Sequence, residues 1–263
     1  MKTTRTNIMN TDTKEAFCTY LLRMADDRLV LGHRLSEWCG HGPILEEDIA
    51  MANIALDYIG HASSLLKYAG EIEDQGRDED QLAYFRSGRE YLNIKMVELP
   101  KGDFGFTIAR QLLFSTFSLL YYQQLMNSND EQLKGLAAKA FKESRYHFRH
   151  SKEWTLRLGD GTDESHGRIQ HAFDELWMYT EELFYMDDID RKLMEEDIAV
   201  DLTSIKPEWE QRINYILTEA TLTVPSDDQY MQSGGRNGIH TEYLGYLLGE
   251  MQILPRTYPD AQW

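Results

Sequence analysis

The spacing of apolar side chains is the feature that most constrains how this chain folds. Between residues 17 and 38 these side chains recur at steps of three, four or seven, at Phe17, Leu21, Met24, Leu31, Leu35 and Trp38. That spacing places one apolar stripe along an α-helix, whereas a half-buried strand alternates with a period of two. Asp12 with Glu15 three residues later resembles a capping box, and the stretch GHGP at 40–43 ends the helix. We therefore expect a long first helix.

Similar stripes follow along the chain and are separated by turn residues. The predicted helices are 43–66, a shorter and less regular stretch at 81–92, 104–126, 130–158 with Asp130 as its cap, 165–185, 207–224 opened by Pro207, and 239–254. No run alternates convincingly with a period of two. The sequence therefore predicts an all-α protein with a bundle of long helices at its centre. We expect one domain over residues 1–263, with 1–11 as a disordered N-terminal tail.

Charge and cysteine content exclude several classes of function. The chain has 27 Lys and Arg against 44 Asp and Glu, a net charge of −17. Such an acidic surface repels nucleic acid and anionic membranes, and it favours solubility or a basic protein partner. Two cysteines, Cys18 and Cys39, exclude a disulfide scaffold and a multi-cysteine zinc site, and indicate reduced thiols in the cytosol. The N-terminal residues lack the apolar core of a signal peptide, so we expect a cytoplasmic protein.

Polar residues on apolar helices are informative, because a buried polar group costs free energy unless it is paired. Such residues lie near the end of the first helix, along one face of the second, and along one face of the helix that begins at Asp130: Glu37; Asn53, Asp57 and His61; Glu143, His147 and His150. Inward-pointing carboxylates and imidazoles from several bundle helices are the ligands of a di-iron carboxylate site. The candidate metal-site positions are therefore Glu37, Asp57, His61, Glu143 and His147.

The spacing of these candidates departs from that of a working site. A di-iron site takes a Glu from each of two helices and a Glu-x-x-His motif from each of the other two. Here the histidines follow Asp57 and Glu143 by four residues, and the predicted helix 104–126 contains no Asp or Glu. One position rotates a side chain by about 100° around a helix, although an i+4 pair still shares a face, so weak metal binding stays open. We expect a vestigial site, with no catalytic residue and no metal in this chain. Arg34, Arg110 and Arg145 are cations that could neutralise the carboxylates in place of iron.

A glycine-rich loop precedes the last predicted helix. Gly234, Gly235 and Arg236 lie in the stretch SGGRNG at 233–238. Backbone N–H groups and an Arg at a helix N-terminus can bind an anion. A tight connection or a docking loop at an interface is the alternative, and isolated glycine-rich motifs are weak signals.

Seven collinear segments together resemble one family. They are LSEWCGHGP (35–43), ANIALD (52–57), IARQ (108–111), KESRYH (142–147), LRLGDGTD (156–163), GIHTE (238–242) and DAQW (260–263). From about residue 15 to the C-terminus, the chain resembles the C subunits of phenylacetyl-CoA epoxidases, the multicomponent ring 1,2-epoxidases of aerobic phenylacetate degradation.

This resemblance implies a ferritin-like helical bundle with additional helices. In the family, the A subunit carries the di-iron centre and the C subunit is its catalytically silent partner. The B subunit and an iron–sulfur/flavin reductase, the E subunit, complete a system that uses O2 and NADPH. Ser115 occupies a position where relatives can hold an acid, and a hydroxyl cannot replace a bridging carboxylate. The resemblance thus implies a non-catalytic structural subunit that stabilises the di-iron subunit and helps to frame the channel for phenylacetyl-CoA at the shared interface.

Two alternatives remain at this point. The first is an active di-iron or mononuclear oxygenase that uses the five candidate acids and histidines itself. The missing acid on the helix 104–126 and the two i+4 offsets argue against it. The second is an acyl-CoA-binding module with Arg236 on the phosphates, which an Arg236→Ala variant with unchanged CoA-ester affinity of the assembled complex would exclude.

Overall fold

The computed structural model describes residues 11–259 and 261, and in that part of the chain every regular element is helical. The α-helices there are α1 (Thr11–Ser36), α2 (Leu45–Glu73), α3 (Glu79–Tyr84), α4 (Lys95–Glu98), α5 (Phe104–Leu125), α6 (Glu131–Gly159), α7 (Asp163–Trp177), α8 (Asp188–Glu195), α9 (Leu202–Glu219) and α10 (Glu242–Thr257). Three short 3-10 helices lie at Gly88–Glu90, Glu181–Phe184 and Gly235–Asn237. The all-α prediction is confirmed.

Two antiparallel hairpins form the centre of the molecule. Helix α1 packs along α2, and α5 packs along α6. The connection 74–103, which carries α3 and α4, crosses from one hairpin to the other, and α2 then meets α6. Two hairpins joined by one long crossover are the arrangement of a ferritin-like bundle, as predicted. Helix α5 is buried on nearly its whole circumference, because α7 and α9 cover the side that the bundle leaves open.

Side-chain caps fix the helix starts that the sequence predicted well. The Asp130 carboxylate accepts a hydrogen bond from the Leu133 backbone N–H at 2.7 Å, and α6 begins at Glu131, directly after Asp130. The Asp103 carboxylate accepts from the Phe106 N–H at 2.8 Å and opens α5. Such caps satisfy backbone donors that have no partner within the first helical turn.

Two of the wrongly predicted helix boundaries have a clear local reason. Helix α9 begins at Leu202 rather than at Pro207, because the Asp201 carboxylate caps it by accepting from the Thr203 N–H at 2.9 Å. Helix α7 ends at Trp177 rather than near residue 185. The Thr180 hydroxyl donates to the Trp177 carbonyl at 2.8 Å and turns the chain into a 3-10 helix.

The remaining differences concern short elements and chain ends. The predicted helix 81–92 stops at Tyr84, and α4 and α8 are too short for periodicity to reveal. The last helix begins at Glu242, three residues later than predicted, after Gly238 with a φ of 72°. Of the predicted N-terminal tail, residues 1–11, the structure describes only Thr11, the first residue of α1. Of the DAQW segment at the C-terminus, it describes only Ala261. Within the described residues, no helix combines the length and apolar character that crossing a bilayer requires.

Candidate functional site

Four of the predicted site residues come together where α2 faces α6. The Asp57 Oδ2 atom lies 2.9 Å from His147 Nε2, and the His61 Nε2 atom contacts the Glu143 carboxylate. The helices run antiparallel. A step of four residues forward along α2, from Asp57 to His61, therefore corresponds to a step of four residues back along α6, from His147 to Glu143. The i+4 spacing in the sequence therefore serves two pairs between helices rather than one acid–histidine pair within each helix.

A third pair extends this arrangement and was missed by the sequence analysis. The Glu47 Oε2 atom near the start of α2 lies 2.7 Å from His150 Nε2 on α6. His150 was on the predicted polar face, but Glu47 resembles an ordinary acidic residue in the first turn of a helix. The only feature of the sequence that marks Glu47 is its position on the face of α2 that carries Asp57 and His61.

The first two pairs lie across the boundary between core and solvent, whereas both members of the third pair are buried. The side chains of His147 and His61 are buried, whereas 34% of the Asp57 side chain and 25% of the Glu143 side chain are exposed. The imidazoles therefore enter the bundle and the carboxylates stay at its rim. Each carboxylate has an imidazole from the other helix as its partner, and the described residues contain no cluster of three His, Cys, Asp or Glu side chains placed to hold a metal ion.

A buried arginine that the sequence analysis overlooked lies deeper in the bundle. The Arg28 guanidinium is fully buried, 5.1 Å from the ring centre of Tyr122 and 5.3 Å from that of Phe114. Its Nη1 atom is 3.4 Å from the Asp27 carboxylate. Burial, reinforced by the positive charge of Arg28, lowers the pKa of His61 to about 3. His61 is therefore neutral near pH 7, and its Nε2–H group donates a hydrogen bond to Glu143. Burial and the negative charge of Asp57 raise the pKa of Glu143.

Glu37, the fifth candidate, does not join these pairs. Its Oε1 atom accepts from Arg34 Nη1 at 2.7 Å, while the Nε and Nη2 atoms of Arg34 donate to the Glu98 carbonyl. Arg34 thus neutralises a candidate carboxylate, as we hypothesised. Arg110 does not, because its Nη1 donates to the carbonyl of Leu99 at 2.6 Å, and burial lowers its pKa to about 9.

Two further positions belong to the same interior. The Ser115 hydroxyl on α5 is fully buried and lies 3.1 Å from the Ser151 hydroxyl on α6. A neutral hydroxyl pair therefore occupies the position at which the resemblance implied an acid in relatives. Arg145, the third cation of our hypothesis, is exposed on α6.

The glycine-rich loop is packed against the bundle. The Gly235 N–H donates to Glu182 Oε1 at 2.7 Å, and a Cβ atom on this residue would lie 2.3 Å from the Asn93 carbonyl oxygen. Gly234 has a φ of 114°, which favours glycine. The Arg236 guanidinium donates to both carboxylate oxygens of Asp27 at 3.0 and 2.8 Å. These contacts favour the tight connection over anion binding, because the hydrogen bonds of the Arg236 side chain are made within the chain.

Comparison with known proteins agrees with the resemblance noted in the sequence. A family model described as phenylacetic acid catabolic protein matches residues 1–263. The C subunit of the 1,2-phenylacetyl-CoA epoxidase of Escherichia coli (strain K12) is 48% identical over 244 residues, which cover 93% of this chain and 98% of that relative.

Proposed function

Because the chain belongs to the phenylacetic acid catabolic protein family, we propose that it is a non-catalytic structural subunit of a phenylacetyl-CoA 1,2-epoxidase. It pairs with the di-iron catalytic subunit and stabilises it in aerobic phenylacetate catabolism. The E. coli relative, which aligns over almost its whole length, bears the name of that enzyme's C subunit.

The pairing of the candidate ligands with one another is the observation that carries this proposal. A di-iron site needs carboxylates that are free to bridge two ions. Here Asp57 is held by His147 and Glu143 by His61, each from the facing helix. Binding iron would require breaking both pairs, and every imidazole or carboxylate left without a partner in the bundle costs free energy.

The buried charge of Arg28 supports the same assignment. A permanent cation beside His61 already lowers the affinity of that imidazole for a proton, and it repels a divalent metal ion for the same electrostatic reason. The di-iron centre, the O2 chemistry and the contacts with phenylacetyl-CoA then belong to the catalytic subunit and the shared interface. The B subunit and the NADPH-dependent reductase complete the proposed cytoplasmic complex.

Iron loading of the isolated chain tests the proposal. The protein is incubated with Fe(II) under anaerobic conditions, desalted and measured by elemental analysis, with the catalytic subunit loaded in parallel as the positive control. We expect iron near zero in this chain and no epoxidation of phenylacetyl-CoA with reductase, NADPH and O2. Adding this chain to the catalytic subunit should raise that subunit's activity or thermal stability.

Two results would contradict the assignment. Two irons per chain, together with turnover by this chain and the reductase alone, would instead establish an active di-iron oxygenase. No binding to the catalytic subunit, with no effect on its stability, would remove the structural role.

A further inference from the structure

Helix α6 is a basic element in an acidic protein. It contains seven Lys and Arg residues and three Glu residues, whereas the whole chain has a net charge of −17. Lys142, Arg145 and Arg149 are exposed and spaced by three and four residues, which places them along one outer face of the helix. Within the described part of the chain, none of the three has a carboxylate within ion-pair distance. These cations are therefore available to a negatively charged partner.

An apolar stripe lies on the neighbouring helix. Leu45, Ile49 and Leu56 of α2 are 72%, 52% and 65% exposed. Their spacing of four and seven residues puts them on one face of the helix. Tyr146 on α6, beside the cations, is also exposed. Clustered exposed apolar side chains of this size are typical of protein interaction sites.

The two stripes belong to one surface, because the acid–histidine pairs hold α2 against α6. Leu56 directly precedes Asp57, and Tyr146 directly precedes His147, so the pair between Asp57 and His147 brings the C-terminal end of the apolar stripe to the level of Tyr146, which lies within the basic stripe. We name this composite surface the α2–α6 face and define it by Leu45, Ile49, Leu56, Lys142, Arg145, Tyr146 and Arg149.

We propose that the α2–α6 face is the docking site for the catalytic partner subunit, and that the contacting surface of that subunit is acidic around an apolar centre. This inference rests on the proposed function and adds the location and chemistry of the contact. Complementary charge speeds association and fixes register, and the apolar side chains supply the area that leaves water. Docking there also covers the exposed edges of Asp57 and Glu143.

The charge pattern selects this occupant over a second copy of the chain. A symmetric dimer places the same patch of both subunits face to face, so Lys142, Arg145 and Arg149 would meet a surface that carries the same cations rather than a complementary charge. Nucleic acid and anionic membranes are disfavoured as occupants by the net charge of −17.

A charge-reversal variant tests the location. The triple variant K142E/R145E/R149E is compared with wild type for binding to the immobilised catalytic subunit, at low and at high ionic strength. We expect the Kd to rise at least tenfold and the salt dependence of the wild-type association rate to flatten in the variant. A second variant, L45S/I49S/L56S, should weaken binding by a similar factor with an unchanged salt dependence.

A matched control separates the local effect from the change in net charge. The variant K14E/R89E/R191E reverses three exposed cations on α1, on the crossover and on α8, and its Kd should stay within twofold of wild type. Circular dichroism melting checks that each variant is folded. Binding by K142E/R145E/R149E equal to that of the control would overturn the docking site but leave the proposed function intact.

The remaining outcomes are equally distinct. A wild-type chain that fails to bind the catalytic subunit would overturn the proposed function, and the docking site with it. A wild-type chain that dimerises by itself, with a dimer abolished by L45S/I49S/L56S, would assign the face to self-association and overturn the inference.

Discussion

Arg86, on the crossover between the two hairpins, donates hydrogen bonds from both terminal guanidinium nitrogens to the fully buried carboxylate of Asp26 in α1. The bond from Nη1 is 3.0 Å long. The same carboxylate accepts from the Leu92 N–H at 2.8 Å, and the Arg86 side chain also donates to the carbonyls of Leu82 and Glu90. One ion pair thus attaches the crossover to the first helix.

Replacing Arg86 should therefore be costly. We expect Arg86→Met to lower the free energy of unfolding by about 3–5 kcal/mol, because it leaves the Asp26 charge buried without its partner. Urea denaturation followed by circular dichroism measures the change. The control is Arg77→Met, which removes the more exposed pair with Glu73 and should cost at most about 1 kcal/mol. Equal losses in the two variants would contradict a special role for the buried pair.

His240 should stabilise the fold mainly at low pH. Its Nδ1 lies 2.9 Å from Glu98 Oε2 and its Nε2 lies 2.8 Å from the Tyr91 carbonyl, so both acceptors are satisfied only when both ring nitrogens carry protons. Burial opposes the charged imidazole, but the hydrogen bond and the charge of Glu98 outweigh it and raise the pKa of His240 above its usual 6.5. This stabilisation is complete below pH 6.5 and disappears as the pH rises through the raised value.

The variant His240→Gln tests this linkage. The destabilisation relative to wild type should be larger at about pH 5.5 than at about pH 9. Chemical denaturation at both pH values measures the difference. A cost independent of pH would indicate that the hydrogen bonds matter without the charge.

His61 should have the opposite pH dependence. Its pKa is lowered to about 3, so the unfolded chain binds a proton below pH 6.5 that the folded chain does not bind. The contribution of His61 to stability is therefore present above pH 6.5 and falls as the pH drops towards 3. When the pH is lowered from about 7 to about 4.5, we expect the free energy of unfolding of His61→Asn to fall by about 1–2 kcal/mol less than that of wild type. Parallel losses in the two proteins would show that His61 is protonated in the folded state.

Two glycines of α6 should respond to alanine in opposite directions. A Cβ atom at Gly159 would lie 2.2 Å from the Ala220 carbonyl oxygen, so Gly159→Ala forces the backbones apart and should destabilise by about 1–3 kcal/mol. Gly135 has open space around its Cα, and Gly135→Ala should stabilise by about 0.5–1 kcal/mol. Thermal melting of both variants, whose sequence change is the same, checks the close approach of α6 to the end of α9.

The sequence predicted the bundle well because its long helices carry strong periodicity and clear caps. Helix α5 agrees with the predicted 104–126 to within one residue, and Asp130 caps α6 as expected. The short helices α4 and α8 give too few residues for a period to appear. Pro207 is tolerated inside α9, so its position alone could not mark the helix start.

The candidate site was located from the sequence, but its pairing was not. Spacing placed Asp57 with His61 and Glu143 with His147, whereas the structure pairs each acid with the histidine of the other helix. The relative register of two helices depends on packing that no local pattern records. Arg28 was missed because it follows two aspartates, a run that is typical of an exposed helix face but is buried here.

Several buried ion pairs of α1 are formed with residues that follow it in the sequence, some of them near the end of the chain. Asp26 pairs with Arg86, Arg23 with Asp187 and Asp190, and Asp27 with Arg236, which lies 209 residues further on. During translation, Arg86 leaves the ribosome soon after the first hairpin, whereas Asp187, Asp190 and Arg236 leave it much later. The Asp27 carboxylate must stay hydrated until the last loop emerges, so the α1–α2 hairpin reaches its native burial only after nearly all of the chain has been synthesised.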